Sequence, residues 1–303
     1  MVNGTNEQFI GLKDKLFELN RQEFLSRLPL YDIGKFLGEY GIQSPKGRLL
    51  IVDPTNTRDI MAMLQDEGID IGDDTLHNDG AFIRELGIII VRWKDSRYDI
   101  NDEIALARMA KTIVHESVHS DGYAFGLSEG QDVLGYVDLT QNSGWYLEEG
   151  ICEYLARKYL LSRLPATWFS HMNEILSRPQ VSPRYIMVPD GRISSATDIV
   201  NLNPKNEHAY SLETRAIYLT PDRINDPYAS DSSLAALGID TLINNDDVPL
   251  NLFIGARKNP LNYQALQDAI NKVDPNLFGK LLRTKKDRTS FWSTTLNLQK
   301  TAL

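Results

Sequence analysis

The stretch from Asn101 to Ser120 constrains this chain more than any other, because it reads as one uninterrupted helix of about five turns. Asn101 or Asp102 can cap it, and Gly122 marks the point before which it should stop. Ala105, Ala107 and Ala110 allow close approach to a sheet, and Leu106, Met109, Ile113 and Val114 supply apolar contact, so the helix is expected to be central and buried. Yet it also carries His115, Glu116 and His119. Burying two imidazoles and a carboxylate is costly unless a metal or an ion pair compensates.

The neighbouring segments supply the rest of an α+β core. Residues 7 to 40 place Phe9, Leu12, Leu16, Phe17, Phe24, Leu28 and Leu30 at helical spacing, which predicts a helical lead-in. Arg48 to Val52 and Leu86 to Trp93 are short β-branched runs bounded by Gly, Pro and Asp, which predict buried strands, with a helix over 57 to 68 between them. Residues 120 to 144 hold five glycines without a clear period and read as a long loop, either a lid or a surface connection. A second helix is expected from Trp145 to Arg163, and further helices over Glu207 to Leu219 and Tyr263 to Lys272. The expected organisation is a lead-in over 1–45, a core over 46–165 and a mainly helical lobe over 166–303.

Composition narrows the partners. A net charge of −9 over 303 residues argues against nucleic acid, whose binding draws on clustered Lys and Arg. The densest positive run, Arg283 to Arg288, reads as a solvated helix end. No window approaches the 18 apolar residues of a membrane span, the opening twenty residues lack a signal-peptide core, and the single Cys152 suits a reducing compartment, so the expectation is a cytoplasmic protein. Cys152 itself reads as a small apolar filler. Oligomeric state leaves no trace in the sequence.

His115-Glu116-Ser117-Val118-His119 is an H-E-x-x-H pattern, which on a helix sets both imidazoles one turn apart on one face, able to converge on a single ion, with Glu116 beside it. Catalytic zinc takes three protein ligands and leaves a fourth position for water, so one more ligand must come from elsewhere. The metzincin extension places a glycine three residues after the second His and a ligand three beyond that. Gly122 matches, but Phe125 stands at the ligand position and has no lone pair to give. The next helix opens with Glu148 and Glu149, and its periodicity favours neither as a ligand. One of the two can simply complement the helix dipole, and Glu148 is expected to be that one.

Leu147, Glu149, Gly150, Glu153 and Tyr154 form an L-x-E-G-x-x-E-Y element that resembles that of the gluzincins, the thermolysin-like and aminopeptidase-like branch of the zincin metallopeptidases. The resemblance covers about residues 86 to 163 and implies a zincin-like fold, a small sheet packed on the H-E-x-x-H helix. It further implies zinc held by His115, His119 and Glu149, with Glu153 orienting a ligating imidazole. Glu116 would be the general base that activates water against the amide of a peptide or protein substrate. Many gluzincins add a Tyr or His that donates to the oxyanion; His208 and Tyr210 are the candidates here. In zincins an extended peptide commonly lies along an edge strand, which Leu86 to Trp93 or a neighbour would supply; the alternative is that Leu86 to Trp93 is interior, as its near-continuous apolar run suggests. The competing expectations are an inactive zincin-fold binding or regulatory protein, and an effector or toxin protease acting on one protein.

Overall fold

A computed structural model describes residues 6–69, 80–93, 103–128, 133–138, 141–163, 185–187, 193–195, 208–211, 216–219, 227–244 and 248–301. Over these residues the chain is α+β, mostly helical, with a small three-stranded sheet. No described helix is long and apolar enough to cross a membrane. The chain falls into two compact units, Met1–Asp121 and Gly122–Leu303.

The first unit opens with α1 (Asn6–Glu18), α2 (Gln22–Arg27) and α3 (Leu30–Gly38). Then follow β1 (Leu49–Val52), α4 (Thr57–Asp66), β2 (Gly80–Ile83), β3 (Ile88–Arg92) and the start of α5 (Glu103–Ser128). The strands lie in the order β1-β3-β2, with β1 parallel and β2 antiparallel to β3. β3 is therefore the interior strand, which is why its run is apolar on both faces. The Leu86 to Trp93 segment is not the edge, and its neighbour β2 is. Leu50, Val52, Ile88 and Ile90 join Leu12 and Leu16 of α1 and Ile60 and Leu64 of α4 in one core. Their alternates Leu49, Ile51, Ile89 and Val91 are equally buried on the opposite face.

The outer edge of β1 is closed by two side-chain amides. Asn20 donates to the Leu49 carbonyl at 2.7 Å and accepts from the Ile51 amide at 2.9 Å. Asn56 donates to the Ile51 carbonyl at 3.0 Å and accepts from the Asp53 amide at 2.8 Å. Asn56 stands at the start of α4, where it would ordinarily cap the helix, but its side chain makes no cap bond and serves the strand instead.

In the second unit, the short strands β4 (Val133–Leu134) and β5 (Val137–Asp138) form a hairpin before α6 (Trp145–Arg163). Next comes a four-stranded sheet of β6 (Tyr185–Met187), β7 (Ile193–Ser195), β8 (His208–Ser211) and β9 (Ala216–Leu219), in the order β7-β6-β9-β8. The chain closes with α7 (Pro227–Asn244), α8 (Leu250–Ala256), α9 (Pro260–Val273), α10 (Leu277–Leu282) and α11 (Arg288–Thr301). α6 is buried over most of its length and packs chiefly on α7. At the crossing a Cβ on Gly150 would meet the Ala235 carbonyl oxygen at 3.0 Å and Ile239 Cγ1 at 2.7 Å. Tyr146 donates to the Thr295 hydroxyl, which in turn donates to the Leu234 carbonyl, and this ties α6, α7 and α11 together.

Three expectations are corrected here. The helix carrying the H-E-x-x-H pattern does not stop before Gly122 but runs on to Ser128. Gly122 serves close packing rather than termination: a Cβ there would lie 2.8 Å from the backbone of Gly135 and 2.6 Å from Arg257 Nη2. Accordingly, the described part of 120–144 is helix and hairpin, not an irregular loop. The expected helix over Glu207 to Leu219 is the β8–β9 pair, in which aromatic and β-branched Tyr210, Ile217 and Tyr218 suit a strand and pairing with β6 overrides the helical spacing. The capping candidates Asn101 and Asp102 lie outside the described residues.

Candidate metal centre

α5 brings His115 and His119 one turn apart with their Nε2 atoms 3.1 Å from each other and the ring centroids 4.8 Å apart at 66°. His119 is buried and His115 half-buried. Zinc–nitrogen bonds run about 2.05 Å, so one ion shared by two nitrogens at this spacing would subtend an angle of about 98°, near the tetrahedral value. Around the pair the helix is pinned. Ser117 donates to the Ile113 carbonyl and Ser120 to that of Ser117. Arg48 reaches from the start of β1 to the Ser120 hydroxyl at 3.1 Å while also holding the carbonyls of Gln43 and Ser44. Desolvation by burial lowers the Arg48 pKa, and the Asp121 carboxylate opposes that shift.

Glu116 is half-buried on the same helix, against the edge strand. A Cβ on Gly80 of β2 would clash with Thr112 Cγ2 and come within 3.1 Å of Glu116 Cγ. The missing side chain of Gly80 is what lets β2 lie directly on the helix beside that carboxylate.

On α6 the two adjacent glutamates have separate environments. Glu148 is fully buried and is held by Arg257, which donates from Nη2 to Oε1 at 2.5 Å and from Nε to Oε2 at 3.0 Å. The Tyr136 amide adds a third bond to Oε2 at 3.0 Å, and Cys152 Sγ lies 3.6 Å from Oε1. Gly135 is indispensable to this arrangement, since its φ of +59° is left-handed and a Cβ would collide with the Glu148 carboxylate. Glu148 thus lies in the first turn of α6, where a carboxylate complements the helix dipole, and belongs to a buried ion pair as well.

Glu149 keeps 13% of its side chain exposed. It accepts from Ser232 at 2.9 Å on Oε2, and Lys286 Nζ stands 3.8 Å from Oε1. That ammonium also sits 3.4 Å from the centroid of the Trp145 ring, whose Nε1 donates to Asn142 at 2.7 Å. Lys286 is therefore not one of a row of solvated helix-end charges. Glu153 is buried and accepts from Arg157 Nε at 2.5 Å.

On α5 the Nε2 atoms of His115 and His119 are close enough to share one cation. On α6, Glu148 is a poor ligand for a cation, because it already spends three bonds on Arg257 and Tyr136, and the guanidinium beside it repels a cation. Two imidazole nitrogens one helical turn apart supply part of the donor set that a divalent metal takes. His208 and Tyr210 stand two residues apart on β8 instead of opening a helix, and their side chains lie outside the described set.

Sequence reasoning missed Arg257, Ser232 and Lys286. Arg257 and Ser232 lie 109 and 83 residues from their carboxylates, with no local pattern to announce them. Lys286 was visible only as part of a basic run. Comparisons with protein-family models, with curated proteins and with solved structures find no match to this chain.

Proposed function

We propose that this chain is a zinc-dependent metallopeptidase of gluzincin type, with a zincin-like fold, acting on a peptide or protein in the cytoplasm. The observation that carries the reading is the approach of His115 Nε2 and His119 Nε2 to 3.1 Å one turn apart, with Glu116 next to His115 on the same helix. His115, His119 and Glu149 would hold the ion. Bound there, zinc would acidify its water and polarise the substrate carbonyl.

The chain's own groups do the remaining work. Glu116 takes the proton from the attacking water and returns it to the nitrogen of the leaving amine, so the peptide bond breaks without a covalent enzyme intermediate. Its seat against Gly80 restricts the carboxylate to the side of α5 that faces the edge strand. Glu153, one turn beyond Glu149 and paired with Arg157, is assigned by the gluzincin resemblance alone to orienting a ligating imidazole, a role in which a carboxylate also raises ligand basicity.

Elemental analysis of purified protein tests the reading. Wild type is expected to carry close to one zinc per chain, and His115→Ala and Glu149→Ala, checked for folding, are expected to lose it. Glu116→Gln should retain zinc while hydrolysis of a peptide library falls about 10²- to 10⁴-fold, the usual contribution of a general base. Wild type that stays zinc-free after reconstitution would overturn the proposal.

A further inference from the structure

Arg48 reaches further than the start of a strand requires. Its carbonyl accepts from the Ile89 amide at 2.7 Å, which fixes its backbone in the pairing of β1 with β3. Its half-buried side chain donates from Nε and Nη2 to the Ser44 carbonyl and from Nη2 to that of Gln43. Nη1 is turned the other way, to the hydroxyl of Ser120, which is 1% exposed. The placement is costly. Burial and the neighbouring Arg48 charge both lower the Lys13 pKa, so two cations share one partly desolvated corner, and Asp121 is the carboxylate that acts on Arg48. Securing the Gln43 and Ser44 carbonyls would not require Nη1 to leave water.

Ser120 directly follows His119. Its hydroxyl donates to the Ser117 carbonyl at 2.9 Å, three residues back, and the Ser117 hydroxyl donates to the Ile113 carbonyl at 2.6 Å, four residues back. Serine hydroxyls turned onto preceding carbonyls compete with the helical amides for those acceptors and bend a helix. The two bonds span Ile113 to Ser120, so their effect falls on the turns where the 3.1 Å spacing of the His115 and His119 Nε2 atoms is set. A serine changes rotamer readily unless its oxygen is held, and Nη1 holds it by donating to a lone pair that the outgoing bond leaves free. We infer that Arg48 is a positioning residue for the metal centre: through Ser120 it holds the α5 turn at the spacing that lets both imidazoles share one ion. Every residue in this chain of contacts lies within Met1–Asp121. The inference rests on the metallopeptidase reading, and its test separates the two.

The probe is cobalt(II), titrated into the full chain and followed through its visible spectrum, with folding checked by circular dichroism. Ser120→Ala is the sharper variant, because it removes the hydroxyl and leaves Arg48 its bonds to Gln43 and Ser44. Ser120→Ala and Arg48→Met are each expected to bind cobalt about 10- to 100-fold more weakly than wild type, the range found when a group supporting a metal ligand is removed, and to alter the cobalt absorption bands. The double variant should bind no more weakly than the weaker single one, because both changes break the same contact. An arginine that only secured residues 43 and 44 would act differently: Arg48→Met would unfold at lower urea with cobalt affinity unchanged, and Ser120→Ala would match wild type. Folded Ser120→Ala that binds cobalt as tightly as wild type, with the same spectrum, would overturn the role of Arg48 while leaving the metal centre standing. Wild type that takes up neither cobalt nor zinc would remove the metal centre and this inference with it.

Discussion

At the scale of single residues, adjacent glutamates diverge because of what faces them. Glu148 is sealed with Arg257, both side chains fully buried, and each is tolerable there only because of the other. Arg257→Met should leave a buried carboxylate with the Tyr136 amide and a thiol for company, destabilising the protein by about 3–5 kcal/mol in urea unfolding. The double variant Glu148→Gln with Arg257→Met should recover much of that loss, since no uncompensated charge is left. If the single and double variants are equally unstable, the loss does not come from an uncompensated buried charge. Glu149 faces Ser232, Lys286 and solvent, which leaves it able to accept a cation.

At the scale of elements, the sequence was most readable where one period ran long. Trp145–Arg163 is a helix from first residue to last as the spacing predicts, and the two β-branched runs are β1 and β3. The elements that failed depend on partners far away. Gly122 looks like a stop signal until the Gly135 backbone is seen against it, and Tyr210, Ile217 and Tyr218 look helical until β6 and β9 pair. β2 was overlooked because Gly80-Ala81-Phe82-Ile83 is short and opens on a glycine, the residue that its contact with α5 demands. The convergence of His115 with His119 was legible from the four-residue spacing alone, whereas nothing local distinguishes Glu149 from Glu148. Asn20→Ala should cost about 1–3 kcal/mol in urea unfolding, because it strips partners from two buried backbone groups of β1 at once. A loss below about 0.5 kcal/mol would show that water replaces the amide there.

At the scale of the whole molecule, buried phenols set an alkaline limit on stability. Burial raises the pKa of Tyr136 well above its ordinary value of 10.0, with the Arg257 guanidinium opposing the shift. Burial raises Tyr146 as well, against the hydrogen bond that it makes with Thr295. The folded chain thus resists losing protons that the unfolded chain gives up near pH 10, so this stabilisation is complete below pH 10 and drains away as pH rises above it. Urea unfolding at pH 9 and pH 11 should show a steeper fall for wild type than for Tyr146→Phe, and parallel declines would refute the phenol as the cause.

The two asparagines on β1 also decide how this chain behaves among its own copies. An outer strand with unspent amides and carbonyls is a template onto which another chain can add, and folded proteins must close or disguise it. Here the closure is made by residues 20 and 56, on either side of the strand in sequence, so the strand is protected only after both flanks have come home. Until then Leu49 to Val52 is four consecutive apolar residues with its outward bonds open. Refolding at rising protein concentration should accordingly lose far more material to aggregates for Asn20→Ala than for wild type, even under conditions where the folded variant remains stable.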